Sequence, residues 1–370
     1  MWQRMTPAPL LLHVFPGFTT GGAQVRFAAV ANRFGRRWRH AIIAMDGVTS
    51  CRERLDPGLD VTFPDVPLRK GDLPGNIRTC RAALRALAPA ALVTSNWGSI
   101  EWAVANLVPL VRHIHAEDGL GPDEVARQHR RRIWARRLVL RRSTVVLPSR
   151  TLERIATHTW RLPPRNLRYI PNAVDLAQFG ARPSCRADGP PVIGTVAALR
   201  AEKNLGRLVQ AFAAVRQAMP ARLVIVGDGP ERAGLQALAA SLGVAADVRF
   251  AGHVPEPSGE YAGFDLFALS SDTEQMPLGL LEAMAASLPA AATDVGDVRL
   301  MLAPENAAQV VPRDSEALAQ ALLAVLRLPD LGRGIGAANR ARAERSFSQD
   351  GMFRAWADVF DGVRAPAKAA

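Results

Sequence analysis

Cysteine is scarce in this chain: among 370 residues there are three, Cys51, Cys80 and Cys185. An odd number without C-x-x-C spacing argues against a disulfide framework and against a structural zinc site, and it favours a reducing compartment. Long apolar runs are absent too. The stretch from Leu10 to Pro16 has only seven residues, whereas a helix needs about 20 to cross a bilayer. We therefore expect a soluble cytoplasmic protein without a membrane-spanning segment or a secretory signal.

Lysine is almost absent as well. Lys70, Lys203 and Lys368 are the three lysines among 46 basic residues, and the formal net charge is +12. Such a charge is typical of proteins that bind nucleic acid, anionic membranes or anionic substrates, but an arginine-rich coding bias explains it equally well. Because arginine otherwise carries the positive charge, the lysine at 203 indicates a position where a compact ammonium group is needed.

Short apolar, β-branched runs alternate with amphipathic segments, which predicts βα units on parallel sheets. The expected strands are 10–16, 40–45, 91–95, 111–115, 145–148, 168–171, 192–197, 222–226, 248–250, 266–270, 290–293 and 309–311. The expected helices are 22–34, 76–87, 205–219, 231–242, 278–286 and 316–326. Between the two halves, 171–191 is rich in turn-forming residues and is expected to be a linker. The sequence therefore predicts two α/β domains, 1–172 and 173–346.

Two glycine-containing loops follow predicted strands, where open α/β sheets bind their ligands. Gly21 and Gly22 open a helix, so backbone N–H groups there can approach an anion, although a simple turn explains them equally well. Gly227 and Gly229 follow another strand, but the third glycine of a dinucleotide fingerprint falls on Arg232. This argues against a nicotinamide or flavin cofactor and favours a tight turn.

Charged residues gather in two loops of the second half. Arg200 and Lys203 precede a helix, where they oppose its dipole; an anion such as a nucleoside diphosphate explains them, and a solvated surface is the alternative. Glu274 and Glu282 are eight apart, and the helix start near Leu278 lies between them. Since carboxylates accept hydrogen bonds from sugar hydroxyls, a ribose and phosphate site is expected, on even terms with two ordinary helix-flanking glutamates. Nothing supports a glycosidase pair.

Two histidines end a strand of the first half. Alternation places His113 and His115 on one face of the strand, and His115 lies at its exit, where it is expected to face the cleft between the domains. A structural histidine is the plainer explanation. Glu117 and Asp118 follow closely, but no second ligand cluster accompanies them, so no metal site is expected.

Taken together, these loops resemble the retaining glycosyltransferases of family 4, which have the two-domain GT-B fold. The resemblance covers about residues 10 to 362. It rests on the E-x7-E motif at 274–282, the Gly-Gly opening, IPNAVD at 170–175, EKN at 202–204, GDGPE at 227–231 and FAGHV at 250–254. The family fold implies two Rossmann-like domains that face each other across a cleft. It also implies that 347–370 forms a helix returning to the first domain, followed by a tail.

The resemblance implies a role for each motif residue. Glu282 would bind the ribose of a nucleotide-sugar donor, and Glu274 the transferred sugar. Lys203 would neutralise the diphosphate. The further contacts that it implies are backbone N–H groups at Gly21, Gly22 and Leu278 for the phosphates, backbone at Gly252 and Val254 for the base, and His115 as the active-site histidine.

The sequence departs from the family pattern at two places. Ala198 stands where the family usually has an arginine, so Arg200 is the expected substitute for a diphosphate contact. Gln275 to Pro277 replace the commoner G-F-G, so the choice of sugar cannot be carried over. What the resemblance implies is a UDP- or GDP-sugar donor and no other cofactor, retention of configuration without a metal, and a saccharide or lipid-linked acceptor. A setting in bacterial polysaccharide or glycolipid assembly would suit these substrates.

An arginine-rich helix is predicted over 125–142, with eight arginines and no acid. Its apolar stripe consists of Ile133, Trp134 and Leu138. Such a helix is typical of docking on anionic lipid, which would make the protein peripheral at the inner face of the membrane; a solvated basic face is the alternative. Two other functions remain open. A nucleotide-sugar 2-epimerase shares the architecture, whereas a non-catalytic nucleic-acid-binding protein is disfavoured because aromatic residues are not interleaved with the charges.

Overall fold

The computed structural model describes residues 7–124, 127–179 and 189–363. The chain forms two compact units. The first contains the described residues up to Pro171 and those from Met352 onward, and the second is Asn172–Gly351. The chain thus leaves the first unit and returns to it at its last helix.

The first unit is built on a seven-stranded parallel sheet in the order β3-β2-β1-β4-β5-β6-β7. Its strands are β1 Leu10–Phe15, β2 Arg39–Ala44, β3 Val61–Thr62, β4 Ala91–Ser95, β5 Arg112–Ala116, β6 Thr144–Leu147 and β7 Leu167–Tyr169. Its helices are α1 Gly22–Phe34, α2 Leu73–Leu87, α3 Ile100–Ala105, α4 Arg130–Val139 and α5 Arg150–Arg154, together with the last helix, α13 Gln349–Asp361.

The second unit is built on a six-stranded parallel sheet in the order β10-β9-β8-β11-β12-β13. Its strands are β8 Val192–Val196, β9 Arg222–Val226, β10 Val248–Gly252, β11 Leu266–Leu269, β12 Ala290–Thr293 and β13 Val310–Val311. Its helices are α6 Leu205–Ala218, α7 Arg232–Ser241, α8 Ser258–Ala262, α9 Leu278–Ala285, α10 Val298–Met301, α11 Ser315–Leu326 and α12 Pro329–Ser346.

The second sheet is buried on both faces. Alternate strand residues belong to different clusters: Ile193 and Leu223 pack in one core, whereas Val192 and Val224 pack in the other. A sheet covered by helices on both sides needs apolar residues at every strand position, so its strands read as continuous apolar runs. This is why sequence pattern located the strands, and the predicted α/β fold class is confirmed.

Element ends differ from the predictions where local chemistry was overlooked. Every predicted strand is present within two residues of its expected ends, and β3 was missed. Helix α2 begins at Leu73 rather than at 76, because the Asp72 side chain accepts a hydrogen bond from the Gly75 N–H and caps it. Helix α12 was not predicted. It contains Gly336, where a Cβ atom would lie 2.1 Å from the Ser287 carbonyl oxygen, so close packing requires a residue that weakens the helical pattern.

Candidate functional site

The loop after β8 is shaped by the glycines of the loop after β9. At Gly227, with φ +135°, a Cβ atom would lie 1.9 Å from the Ala197 carbonyl oxygen. At Gly229, with φ +157°, it would lie 2.5 Å from the Leu199 carbonyl oxygen. The two glycines therefore serve a tight turn, as expected, and that turn supports the backbone leading to Lys203.

Lys203 and Glu274 meet at the carboxyl ends of two neighbouring strands, β8 and β11. The Lys203 Nζ atom lies 2.5 Å from Glu274 Oε1, and the Ser271 hydroxyl donates to the same oxygen at 2.9 Å. The Ser270 hydroxyl donates to the Lys203 carbonyl oxygen at 3.0 Å. The cation and the carboxylate are therefore held in one small polar cluster, with 24% and 11% of their side chains exposed.

A second set of contacts holds the same two loops together. Asn204, with φ 41°, caps α6 by accepting from the Arg207 N–H, and its amide donates to Asp272 at 3.0 Å. Arg207 donates to the other Asp272 oxygen at 2.7 Å. Burial opposes ionisation of Asp272, but the hydrogen bonds from Arg207 and Asn204 outweigh it and lower the pKa of this carboxyl. The loop that carries Lys203 is therefore anchored on both sides.

Helix α9 begins where this cluster ends. Pro277 is its N-cap residue, and no side chain among the described residues caps it. The first N–H groups of a helix have no partner within the helix and carry partial positive charge. At Gly279 a Cβ atom would lie 2.8 Å from the Val196 carbonyl oxygen, so the first turn of α9 packs directly against the end of β8. The expected place of Leu278, at the helix start, is correct.

Glu282 lies on α9 and is bonded to a fully buried tyrosine. The Tyr261 hydroxyl donates to Glu282 Oε2 at 2.6 Å and lies 3.1 Å from the Gly279 carbonyl oxygen. Burial raises the pKa of Glu282, and the hydrogen bond from Tyr261 partly opposes that rise. Burial and the nearby Glu282 charge raise the pKa of Tyr261 well above its ordinary value, so the phenol keeps its proton and acts as the donor.

The other residues predicted for this site occupy separate positions in the second unit. Arg200 is exposed, and within the described residues its guanidinium has no hydrogen bond or ion pair. Gly252 ends β10 with φ +77°, and its carbonyl oxygen accepts from the Gly227 N–H at 2.8 Å. Val254 is half-buried against the core. That the backbone of Gly252 and Val254 contacts the nucleobase of the donor therefore stays a prediction.

In the first unit, Gly21 and Gly22 open α1 as expected. Gly21 is the N-cap residue, with extended backbone at φ −155°, and no described side chain caps the helix. The Gln24 side chain turns back and donates to the Gly17 carbonyl oxygen at 2.7 Å. The first turn thus offers backbone N–H groups, and a phosphate contact there stays a prediction.

His115 is fully buried near the end of β5. Its Nδ1 atom lies 2.8 Å from the Thr94 hydroxyl oxygen, and its Nε2 atom lies 3.4 Å from Glu117 Oε2. His113 contacts the same Thr94 oxygen from Nε2 at 2.8 Å, so the two histidines do share a face of the strand. Burial and the neighbouring His115 lower the pKa of His113 to about 3. Internal polar groups thus lie at both ring nitrogens of His115. The expected place of His115 at the exit of β5 is correct, and its active-site role stays a prediction.

The arginine-rich segment also differs from its prediction. The helix runs over Arg130–Val139 rather than 125–142, and residues 125 and 126 lie outside the described part of the chain. Arg136 points inward and is fully buried. Ile133 packs against the core, whereas Trp134 and Leu138 are 61% and 63% exposed. The expected stripe is therefore split between the inner and the outer face of the helix.

Sequence reasoning missed several of the residues that make these contacts, among them Tyr261, Ser271 and Arg136. Tyr261 is one of two tyrosines in the chain, but nothing in its neighbourhood connects it with Glu282. Ser271 precedes Glu274 by three residues and reads as an ordinary loop serine. Arg136 is hidden among many arginines. Tyr261 and Arg136 become recognisable only when segments about 20 residues apart in the sequence are brought together, whereas the bond from Ser271 to Glu274 is local.

Within the described residues, no group of three or more His, Cys, Asp or Glu side chains is arranged to hold a metal ion. The same part of the chain contains no helix with the length and apolar character needed to cross a membrane.

Solved structures share this architecture over nearly the whole chain. HepE from Anabaena in complex with UDP has a TM-score of 0.79 at 17% identity, and the match covers 95% of this chain and 100% of that one. A glycosyltransferase from Rickettsia africae has a TM-score of 0.78 at 15% identity, with 96% and 99% covered. At such identities the likeness shows the fold alone, and that fold is the GT-B fold of glycosyltransferases.

Two family models match the chain in succession. The model described as Glycosyltransferase Family 4 matches residues 20–178, and the model described as Glycosyl transferases group 1 matches residues 190–327. Together they cover most of both units, and the chain belongs to the family 4 glycosyltransferases.

Curated relatives are similar over parts of the chain. An exopolysaccharide phosphotransferase of Streptomyces coelicolor is 33% identical over 58% of this chain and 23% of its own length. A GDP-mannose-dependent alpha-mannosyltransferase of Mycobacterium tuberculosis is 36% identical over 34% of this chain and 31% of its own length. The putative glycosyltransferase EpsD of Bacillus subtilis is 32% identical over 44% and 43%. The chain thus spans less than half the length of these relatives.

Proposed function

We propose that this protein transfers a sugar from a nucleoside-diphosphate sugar to a saccharide or lipid-linked acceptor, in bacterial polysaccharide or glycolipid assembly. The observation that carries the proposal is the polar cluster of the second unit, in which Lys203, Glu274 and the start of α9 lie at adjoining strand ends. The family assignment supports it. So do the names of relatives that depend on GDP-mannose and the UDP bound in HepE.

The Lys203–Glu274 pair is suited to bind a diphosphate next to a sugar. Without ligand, the ammonium and the carboxylate neutralise each other at 2.5 Å. A diphosphate would compete for the ammonium, and Glu274 would then accept hydrogen bonds from sugar hydroxyls while Ser271 keeps its bond to Oε1. Glu282, held by Tyr261, would accept from the ribose hydroxyls.

We propose further that transfer retains configuration and needs no metal. The departing diphosphate accumulates negative charge, and Lys203 with the first N–H groups of α9 would stabilise it. The resemblance to family 4 supports front-face attack within an ion pair, for which no protein nucleophile is required. The expected product is therefore an α-linked sugar when the donor is α-linked, which NMR of the product would show.

Nucleotide titrations test the donor site. Calorimetry measures the binding of UDP, GDP, ADP and the corresponding nucleosides. Lys203→Met should lower the affinity for the diphosphates by at least about tenfold, since a charge-assisted hydrogen bond contributes about 1.5–3 kcal/mol. It should leave the affinity for the nucleosides unchanged. Glu282→Gln should weaken nucleotides and nucleosides alike, because both contain the ribose. The matched controls are Lys70→Met and Glu316→Gln, both at exposed positions.

Each failure has a defined meaning. Equal effects of Lys203→Met and Lys70→Met would overturn the diphosphate assignment. Conversion of the donor sugar to its 2-epimer without an acceptor would show the epimerase instead. Binding of a short single-stranded RNA that is unchanged in both site variants would show that the basic surface is the functional one.

We also propose that the outer face of α4 docks on an anionic membrane surface. Trp134 and Leu138 are 61% and 63% exposed, and Arg137 lies over the Trp134 ring at 4.6 Å. Arg130 and Arg131 are exposed on the same helix. Apolar side chains flanked by arginines suit the boundary between acyl chains and anionic head groups.

Vesicle sedimentation tests this surface. Phosphatidylglycerol vesicles should retain the protein at low salt and release it at high salt, because surface charges are screened. Combined Trp134→Gln and Leu138→Gln substitutions should abolish retention, whereas Val108→Gln, at a 70% exposed position, should not. Retention that is indifferent to salt, or equal in the two variants, would contradict the assignment.

A further inference from the structure

A continuous chain of polar contacts runs through the buried part of the first sheet to Glu117. The Ser143 hydroxyl lies 2.6 Å from His113 Nδ1, and His113 Nε2 lies 2.8 Å from the Thr94 oxygen. The same oxygen lies 2.8 Å from His115 Nδ1. The last link joins His115 Nε2 to Glu117 Oε2 at 3.4 Å. Each inner member of this chain has a partner on both sides.

Glu117 is held by a guanidinium that is itself buried. Arg136 Nε donates to Glu117 Oε2 at 3.2 Å, and its two terminal nitrogens donate to Glu124 at 3.2 and 3.0 Å. The rings of Trp97 and Trp160 lie 4.9 and 4.8 Å from this guanidinium. Since arginine always stays protonated, its partner Glu117 is a carboxylate and can only accept hydrogen bonds.

Because Glu117 can only accept, the donor and the acceptor of every hydrogen bond in this row of polar contacts are fixed. A neutral His115 can bond to Glu117 only if its proton is on Nε2, so Nδ1 must accept from the Thr94 hydroxyl. The Thr94 oxygen is then free to accept from His113 Nε2, and His113 Nδ1 accepts from Ser143. The reversed arrangement would place the His115 Nε2 lone pair against the carboxylate, and it would invert both histidine tautomers.

Glu117 accepts hydrogen bonds through only one of its two carboxylate oxygens among the described residues. The other oxygen of the carboxylate, Oε1, is buried and has no hydrogen-bond donor among the described residues. The charge of Glu117 is therefore satisfied through Oε2 alone, by Arg136 and the His115 ring. The neighbouring Asp118 does not take part, because it pairs with Arg26 at 2.6 Å.

We propose that Glu117 and Arg136 are positioning residues for His115: they hold the neutral ring with its proton on Nε2. The Nε2–H group then donates toward Glu117, and His115 does not act as a general base. Its Nδ1 lone pair is already occupied by Thr94. The effect on turnover rests on the proposed function and on the active-site role that the resemblance to family 4 implies for His115, whereas the tautomer follows from the contacts of the first unit alone.

Histidine-selective ¹⁵N NMR tests the tautomer without any substrate. In the wild-type protein both His113 and His115 should carry their proton on Nε2. Glu117→Gln should disturb the ¹⁵N shifts of both rings, although His113 does not touch Glu117, because Thr94 couples them. Thr94→Val should uncouple the rings, and Thr94→Ser should restore the wild-type pattern. The matched control is Asp118→Asn, which removes a charge one residue away and should leave both rings unchanged.

Kinetics supply the second measurement. Glu117→Gln should lower kcat by at least about tenfold, as expected for loss of one charge-assisted hydrogen bond. The donor KM should stay within about twofold, since the side chains proposed to bind the donor, Lys203, Glu274 and Glu282, lie in the second unit. A His115 proton on Nδ1, or a doubly protonated ring, would overturn the proposal. If the wild-type protein transfers no sugar but shows the expected tautomers, the proposed function fails and the positioning of His115 stands.

Discussion

The bond between Tyr261 and Glu282 gives the most quantitative prediction for the second unit. Tyr261→Phe removes one hydroxyl from a fully buried position and leaves the ring packing in place. The lost contact is a 2.6 Å hydrogen bond to a carboxylate, and bonds to charged groups contribute about 1.5–3 kcal/mol. For a unit of this size each kcal/mol changes Tm by about 2–4 °C, so a decrease of about 3–12 °C is expected.

Nucleotide binding should weaken together with stability. Tyr261 fixes the side chain that is proposed to bind ribose, so UDP or GDP affinity should decrease by about tenfold, equivalent to about 1.4 kcal/mol. Calorimetric titration and thermal unfolding measure both quantities. Tyr169→Phe is the matched control, because its half-buried ring lies in the other unit. The reasoning would be refuted if the free energies of unfolding of Tyr261→Phe and Tyr169→Phe differed by less than about 0.5 kcal/mol.

The same pair makes stability depend on pH in a defined direction. Burial raises the pKa of Glu282 above its ordinary 4.5, so the folded protein binds this proton more tightly than the unfolded chain does. The free energy of unfolding should therefore fall as pH rises from 4.5 through the folded-state pKa. Glu282→Gln should remove this contribution. Tyr261→Phe should extend it to higher pH, because the bond that opposes the rise is lost. A pH profile identical in wild type and Glu282→Gln would contradict this explanation.

Two glycine substitutions should have opposite effects. Gly279→Ala places a Cβ atom 2.8 Å from the Val196 carbonyl oxygen, so it should cost about 1–3 kcal/mol of stability and weaken diphosphate binding by moving the first turn of α9. Gly234→Ala lies within α7, where nothing is within 4 Å of the new Cβ atom, so it should stabilise by about 0.5–1 kcal/mol and leave binding unchanged. Denaturant unfolding measures the stability of both variants, and UDP titration measures their binding. If both substitutions changed the free energy of unfolding in the same direction, the argument from packing distances would be refuted.

Local pattern was sufficient for nearly all of the strands. The strands of the second unit are continuous apolar runs, because helices cover both faces of the sheet, and that pattern is visible in any short window of sequence. The position of Glu282 five residues into α9, eight residues after Glu274, is likewise a local property. Helix caps such as Asp72 are also local features of the sequence, but the prediction of α2 did not use this cap.

The pairing of these elements was decided by the tertiary structure. Lys203 and Glu274 are 71 residues apart and meet because β8 and β11 are neighbours in the sheet. Tyr261 reaches Glu282 because α8 and α9 pack together. Arg136 looked like one more surface arginine until folding placed it between two tryptophans and two carboxylates.

The sequence by itself therefore determined the α/β class, the strand-to-helix loops that carry polar residues, and the family. Only the tertiary structure decided which charge pairs with which, that the His115 ring is enclosed, and that the apolar residues of α4 separate into an inner and an outer set. The physical reason is that strand periodicity and helix caps arise from contacts within a few residues, whereas sheet order and the burial of a charge depend on segments that are distant along the chain.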